Sequence, residues 1–116
     1  MIKFTQPNFE MEWDEAVRYN RFNQMGKVKW LELVKTGYMS NYGKIKHVLY
    51  NVDLDFDKLE SDKQLRFNNS FNDNYIEIPI VVQFNNGTYD LLGGNTRIAG
   101  LNRHNELDIP IWVIPY

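Results

Sequence analysis

The stretch Leu91-Leu92-Gly93-Gly94-Asn95-Thr96-Arg97-Ile98-Ala99-Gly100 decides how the rest of the chain is read. An extended apolar run enters it, two glycines turn it, and a helical run leaves it. A helix that starts at such a junction has first N–H groups with no intrahelical partner, at the positive end of its dipole. An anion, most often a phosphate, fits there. Gly93 and Gly94 let the backbone approach closely, Thr96 offers a hydroxyl, and Arg97 carries a planar, permanently charged fork. The same residues also suit a tight turn in which Arg97 pairs with a neighbouring carboxylate.

Upstream, Ile76, Ile78, Ile80, Val81 and Val82 make 75–84 a buried strand, with Pro79 at its start or at an edge. Asn85-Asn86-Gly87 is a hairpin signal that lays 88–92 antiparallel to it. Downstream, the helix runs to about His104, with Ile98 and Leu101 inward and Gly100 allowing close packing on the sheet. Ile109-Pro110-Ile111-Trp112-Val113-Ile114 reads as a closing strand. Further back, the β-branched and aromatic residues of 46–52 favour another strand. A helix is expected to start within 53–61, capped by Asp55 or Asp57 with Leu59 on its buried face, and 68–74 reads as a loop. Residues 1–12 form an irregular or short extended lead-in. A first helix then starts at Trp13 with Asp14 and Glu15 at its positive end, Gly26 interrupts it, and a second helix covers 27–35 before Gly37. The expectation is a single α+β domain in which a small mixed sheet is flanked by helices. In it, 1–43 is a helical hairpin extension and 44–116 the core.

Composition narrows the function. A chain of 116 residues, 43% hydrophobic and 24% charged, folds as one domain rather than staying disordered. A net charge of −2 gives no global basic field, so nucleic-acid binding needs a local patch, for which Lys27, Lys29, Lys35, Lys44 and Lys46 are the candidates. No run approaches the length of a membrane span and 1–7 does not read as a secretory signal, so a cytoplasmic setting without a membrane partner is expected. The absence of cysteine excludes disulfides, thiol catalysis and cysteine metal sites.

With these pieces in order, the sequence resembles the ParB/sulfiredoxin superfamily. Residues Gly87 to Gly100 look like that family's strand followed by Gly-x-x-Arg and a small-residue helix, and Leu107-Asp108-Ile109-Pro110-Ile111-Trp112-Val113 is similar to its closing strand. A second piece, Leu54-Asp55-Phe56-Asp57-Lys58-Leu59-Glu60-Ser61, is similar to the sulfiredoxin pattern Leu-Asp-Pro-x-Lys-Val-x-Ser. The resemblance covers about 46–114, and the N-terminal hairpin outside it looks like additions on phage-encoded members. It implies a compact ParB/sulfiredoxin-like fold. Gly93, Gly94, Asn95 and Thr96 would then present backbone groups to phosphate, and Arg97 would pair with phosphate oxygens. Lys58 and Ser61 would approach from the facing helix, and Asp55 would cap that helix or orient Lys58 or Arg97. The departures are equally informative. Where sulfiredoxins carry a reactive cysteine and a histidine, this chain has Asn95 and Thr96, so it is not a thiol-dependent sulfiredoxin. Of the Glu-Arg-Arg that ParB proteins place here only the last arginine survives, and 116 residues leave no room for a helix-turn-helix domain.

Other constellations carry less. Asp53-x-Asp55-x-Asp57 lacks the glycine and the twelfth-position glutamate of an EF-hand, so no protein metal site is expected and Mg²⁺ would come on a nucleotide's phosphates. His47 and His104 are isolated and read as structural. Asp90 and Asp55 are the candidate catalytic carboxylates, and Glu12 or Glu15 could reach the site from the hairpin. The leading expectation is a nucleotide-binding protein for ATP or CTP with Mg²⁺, and the sequence leaves open whether it hydrolyses or transfers a phosphoryl group. The alternatives are a DNA-binding or nuclease-type ParB-like protein, and an inactive protein-interaction module whose contact surface is the aromatic-rich hairpin.

Overall fold

Successive residues of a strand face opposite ways, and here the chain supplies a helical layer for each face. The computed structural model describes residues 2–18, 20–106 and 108–116, without the side chains of Glu15, Asn20 and Arg21. β1 (Lys3–Thr5) leads into α1 (Phe9–Ala16), α2 (Asn20–Met25) and α3 (Lys27–Val34). β2 (Tyr38–Asn41) and the short α4 (Tyr42–Ile45) follow, then two 3-10 turns (Lys46–Val48 and Phe56–Lys58) and α5 (Ser61–Asn72). The chain ends β3 (Tyr75–Glu77), β4 (Ile80–Gln83), β5 (Tyr89–Gly93), α6 (Asn95–Arg103) and β6 (Pro110–Pro115). β2, β6, β4 and β5 form one sheet in that order, with β4 and β6 parallel and the other pairs antiparallel. β1 and β3 form a separate parallel pair. The class is α+β with a mixed sheet.

The two faces bury different partners. Val81, Leu91, Ile111 and Val113 pack with Phe67 of α5 and with Ile98, Ala99 and Leu101 of α6. Ile80, Val82, Leu92 and Ile114 pack with Ala16, Phe22, Trp30 and Val34 from α1–α3. The indole N–H of Trp30 donates to the Phe9 carbonyl at 3.1 Å and that of Trp112 to the Val34 carbonyl at 3.0 Å, so the buried ring of Trp30 and the half-buried ring of Trp112 leave no donor orphaned.

Residues 1–43 are therefore not a helical hairpin set on a finished core. Their described residues up to Asn41 form three helices that cover one face of the sheet, plus a strand in each sheet.

Local expectations fail where tertiary contacts decide. The segment 46–52 is a 3-10 turn followed by a single bridge from Leu49 to Tyr89, not a strand. The run 75–84 is two strands in two sheets, divided at Ile78-Pro79. The helix expected to start at Asp55 or Asp57 starts at Ser61 after Glu60, and it continues to Asn72 through most of the expected loop. Gly100 permits close packing, but against the ring of Phe67 on α5 rather than against the sheet. The hairpin at 85–87, the junction helix and the closing strand stand where the sequence puts them, although Leu107 of the closing motif lies outside the described residues.

Candidate functional site

The junction is built by sterics. β5 ends at Gly93, and Gly94 turns the chain with φ +108°, a left-handed conformation that a side chain rarely adopts. A Cβ at Gly94 would also run into Pro79, the residue that separates β3 from β4. α6 then starts at Asn95, with its first internal bond from the Ile98 N–H to the Gly94 carbonyl at 3.0 Å. The N–H groups of Asn95, Thr96 and Arg97 are thus left without helical partners.

This start opens on a hollow of about 910 Å³, within the roughly 300–1,000 Å³ usual for small-ligand sites. Gly93, Gly94, Asn95, Thr96 and Arg97 form one wall. α1 contributes Met11, Glu12 and Asp14, the loop before the second 3-10 turn contributes Asn51 and Asp53, and β3 contributes Tyr75 and Glu77. α5 supplies Lys63, Arg66, Phe67 and Ser70. No polar or charged side chain is buried among the described residues, so ionic chemistry belongs to this hollow or to the outer surface.

Arg97 is held on the wall by carboxylates. One guanidinium N–H donates to Glu12 Oε1 at 3.2 Å and another to the Glu77 carbonyl at 3.2 Å, with the Glu77 carboxylate 3.6 Å away. Both members of the Arg97–Glu12 pair are largely shielded, at 19% and 12% side-chain exposure. Glu12 Oε2 lies against Gly93 so closely that a Cβ there would displace it. The tight-turn alternative, Arg97 against a carboxylate, describes this arrangement.

Asn95 has a structural duty as well. Its amide accepts from the Asp53 N–H at 2.8 Å and donates to the Asp53 carbonyl at 2.9 Å. Asn51 does the same in reverse, accepting from the Leu91 N–H at 3.0 Å and donating to its carbonyl at 3.1 Å. The two amides fasten the 51–53 loop along β5, where a further strand would otherwise pair.

The remaining sequence candidates lie elsewhere. Lys58 pairs with Asp55 at 3.5 Å on the outer surface, and neither they nor Ser61 line the hollow. The facing helix does contribute cations, but they are Lys63 and Arg66, one turn further on. Neither side chain has an ion pair or hydrogen bond among the described residues. They stand at i and i+3 on one face of α5, a spacing already present in the helix the sequence places ahead of 68–74. Asp90 sits opposite Val82 on β5 and does not line the hollow. The side chain of Glu15 lies outside the described residues, whereas Glu12 does reach the site. His104 caps the end of α6 and stacks on Phe71 with ring centroids 4.1 Å apart, as a structural histidine does. His47 and the lysines Lys27, Lys29, Lys35, Lys44 and Lys46 are exposed, away from the hollow.

Fold and site together define an α+β protein with a charged hollow at a strand–glycine–helix junction. No family model, curated protein or solved structure matches the chain. Among the described residues no helix is long and apolar enough to cross a membrane.

Proposed function

We propose that the hollow binds the phosphates of a nucleoside triphosphate, ATP or CTP, with Mg²⁺ carried on those phosphates. One observation carries this reading: Lys63 and Arg66, two cations without partners among the described residues, share the hollow with the first turn of α6. Cationic side chains and unpaired helix N–H groups are two devices that stabilise phosphoryl charge, and here they line one hollow. Asp14 and Asp53 in the same hollow suit the waters of a phosphate-borne Mg²⁺. Met11 and Tyr75, both exposed, give a base or ribose an apolar surface. The order β4, hairpin, β5, glycine junction, α6 and parallel β6 supports reading the domain as a cysteine-free relative of the ParB/sulfiredoxin type.

The test is calorimetric titration of the protein with ATP, ADP, CTP and GTP, each with and without Mg²⁺, beside a Lys63→Ala/Arg66→Ala variant. The reading expects a triphosphate to bind the native chain and the double variant to bind it at least about tenfold more weakly. Equal binding by both chains, or none by the native chain, overturns it.

A further inference from the structure

The geometry points to Glu12 as a built-in anion that occupies the junction until a phosphate displaces it. This rests on the nucleotide reading above and adds regulation of the same hollow by α1. Glu12 is placed as a bound anion would be. Its Oε1 is 3.2 Å from the guanidinium of Arg97 in the first turn of α6, and its Oε2 lies on the open side of Gly93, the last residue of β5. The negative charge is favourable there for the same reason a phosphate would be. Glu12 also has far to travel in sequence, since it meets Arg97 across 85 residues from a different layer of the fold. Two anions cannot share this corner at low cost, because like charges a few ångströms apart repel strongly outside bulk water. Phosphate that reaches Arg97 must therefore turn the Glu12 side chain out, and α1, which carries Met11 and Asp14 on the same wall, is the element that loosens. The coupling is reciprocal: whatever holds α1 down weakens nucleotide binding, and nucleotide weakens the hold on α1. Gly93 fits the same account. Its backbone is not left-handed, so its lack of a side chain serves the carboxylate that rests on it.

The experiment uses the full chain and ATP with Mg²⁺ as the probe, measured by calorimetry. Glu12→Gln keeps the shape and removes the charge. Gly93→Ala leaves Glu12 charged but puts a methyl where its carboxylate lies. Each is expected to bind ATP at least about fivefold more tightly than the native chain, the lower end of ordinary allosteric coupling. In the native chain, amide exchange over α1 is expected to quicken when ATP is added, a measurement that needs no variant to fold. Unchanged or weaker binding by the folded variants, or slower exchange over α1, overturns the inference and leaves the nucleotide reading standing. If neither the native chain nor either variant binds ATP, CTP or inorganic pyrophosphate, both fall together.

Discussion

The side-chain amide of Asn95 and the peptide of Asp53 exchange two hydrogen bonds, at 2.8 and 2.9 Å, across 42 residues of sequence. With its mirror, Asn51 on Leu91, this pair closes the edge of β5 without a strand. The Asn51 pair is the more shielded of the two. Asn51→Ala leaves the loop-side partners of a strand residue unmet and is expected to cost about 1–3 kcal/mol, whereas Asn95→Ala, nearer water, costs about 1 kcal/mol. Urea midpoints at constant slope measure both. Equal and negligible effects would show that the loop is held by packing instead.

Adjacent glycines at the junction are expected to respond unequally. Gly94→Ala forces a side chain into a left-handed conformation and against Pro79, and should destabilise by about 2–3 kcal/mol or more. Gly93→Ala meets only the movable end of Glu12 and should cost less than half as much. Thermal unfolding of the two variants side by side decides it.

The parts of this fold that are legible in the sequence are those with short-range causes. Asn85-Asn86-Gly87 selects a hairpin and the paired glycines end β5, while Ile111, Trp112, Val113 and Ile114 announce β6, and all three hold in three dimensions. The failures have long-range causes. Leu49 to Val52 has strand-like residues, yet the Asn51 side chain supplies the bonds to β5 that a backbone would have made. The asparagines of 68–72 look like loop residues, but Phe67 and Phe71 tie that turn of helix to His104 and to Gly100. The site follows the same rule. Its junction wall is local and readable, while Lys63, Arg66 and Glu12 reach it only through packing of α5 and α1.

Because α1–α3 cover Ile80, Val82, Leu92 and Ile114, a fragment of 44–116 would expose an entire sheet face and lose β2 from the edge of β6. Such a fragment is expected to aggregate or to show no cooperative thermal transition. Within the full chain, Trp30→Ala should cost about 3–5 kcal/mol, since Trp30 is fully buried and also bonds to Phe9. A fragment that unfolds cooperatively would mean that the N-terminal layer is dispensable after all.

Burial raises the hydroxyl of Tyr42 above the ordinary tyrosine pKa of 10.0, and burial followed by the neighbouring Tyr89 raises that of Tyr38. An acid whose pKa is higher in the folded state binds its proton more tightly there than in the unfolded chain. Its contribution to stability is complete below about pH 10 and is lost as pH rises through the folded value. Alkaline destabilisation is therefore expected to begin above about pH 10, and Tyr42→Phe should reduce its steepness. Tyrosinate absorbance, followed alongside unfolding, should show at least one late-titrating group that this variant removes.

Arg97 and Lys58, which the sequence joins in one phosphate site, should separate cleanly on substitution. Lys58 is 77% exposed and its pairing with Asp55 is screened by water, so Lys58→Ala is expected to leave both stability and nucleotide binding unchanged. Arg97 is shielded and bridges two elements: its loss takes the guanidinium away from the Glu12 carboxylate, at 12% exposure, and removes a donor from the Glu77 carbonyl. Arg97→Ala should therefore destabilise the fold by about 2–3 kcal/mol in the absence of any ligand. Adding Glu12→Gln should recover part of that loss, because a shielded carboxylate deprived of its guanidinium is what makes the single substitution costly. If the single substitution is neutral without ligand, the Glu12–Arg97 contact contributes nothing to the fold. The case for Glu12 holding the junction against phosphate would then lose its energetic basis.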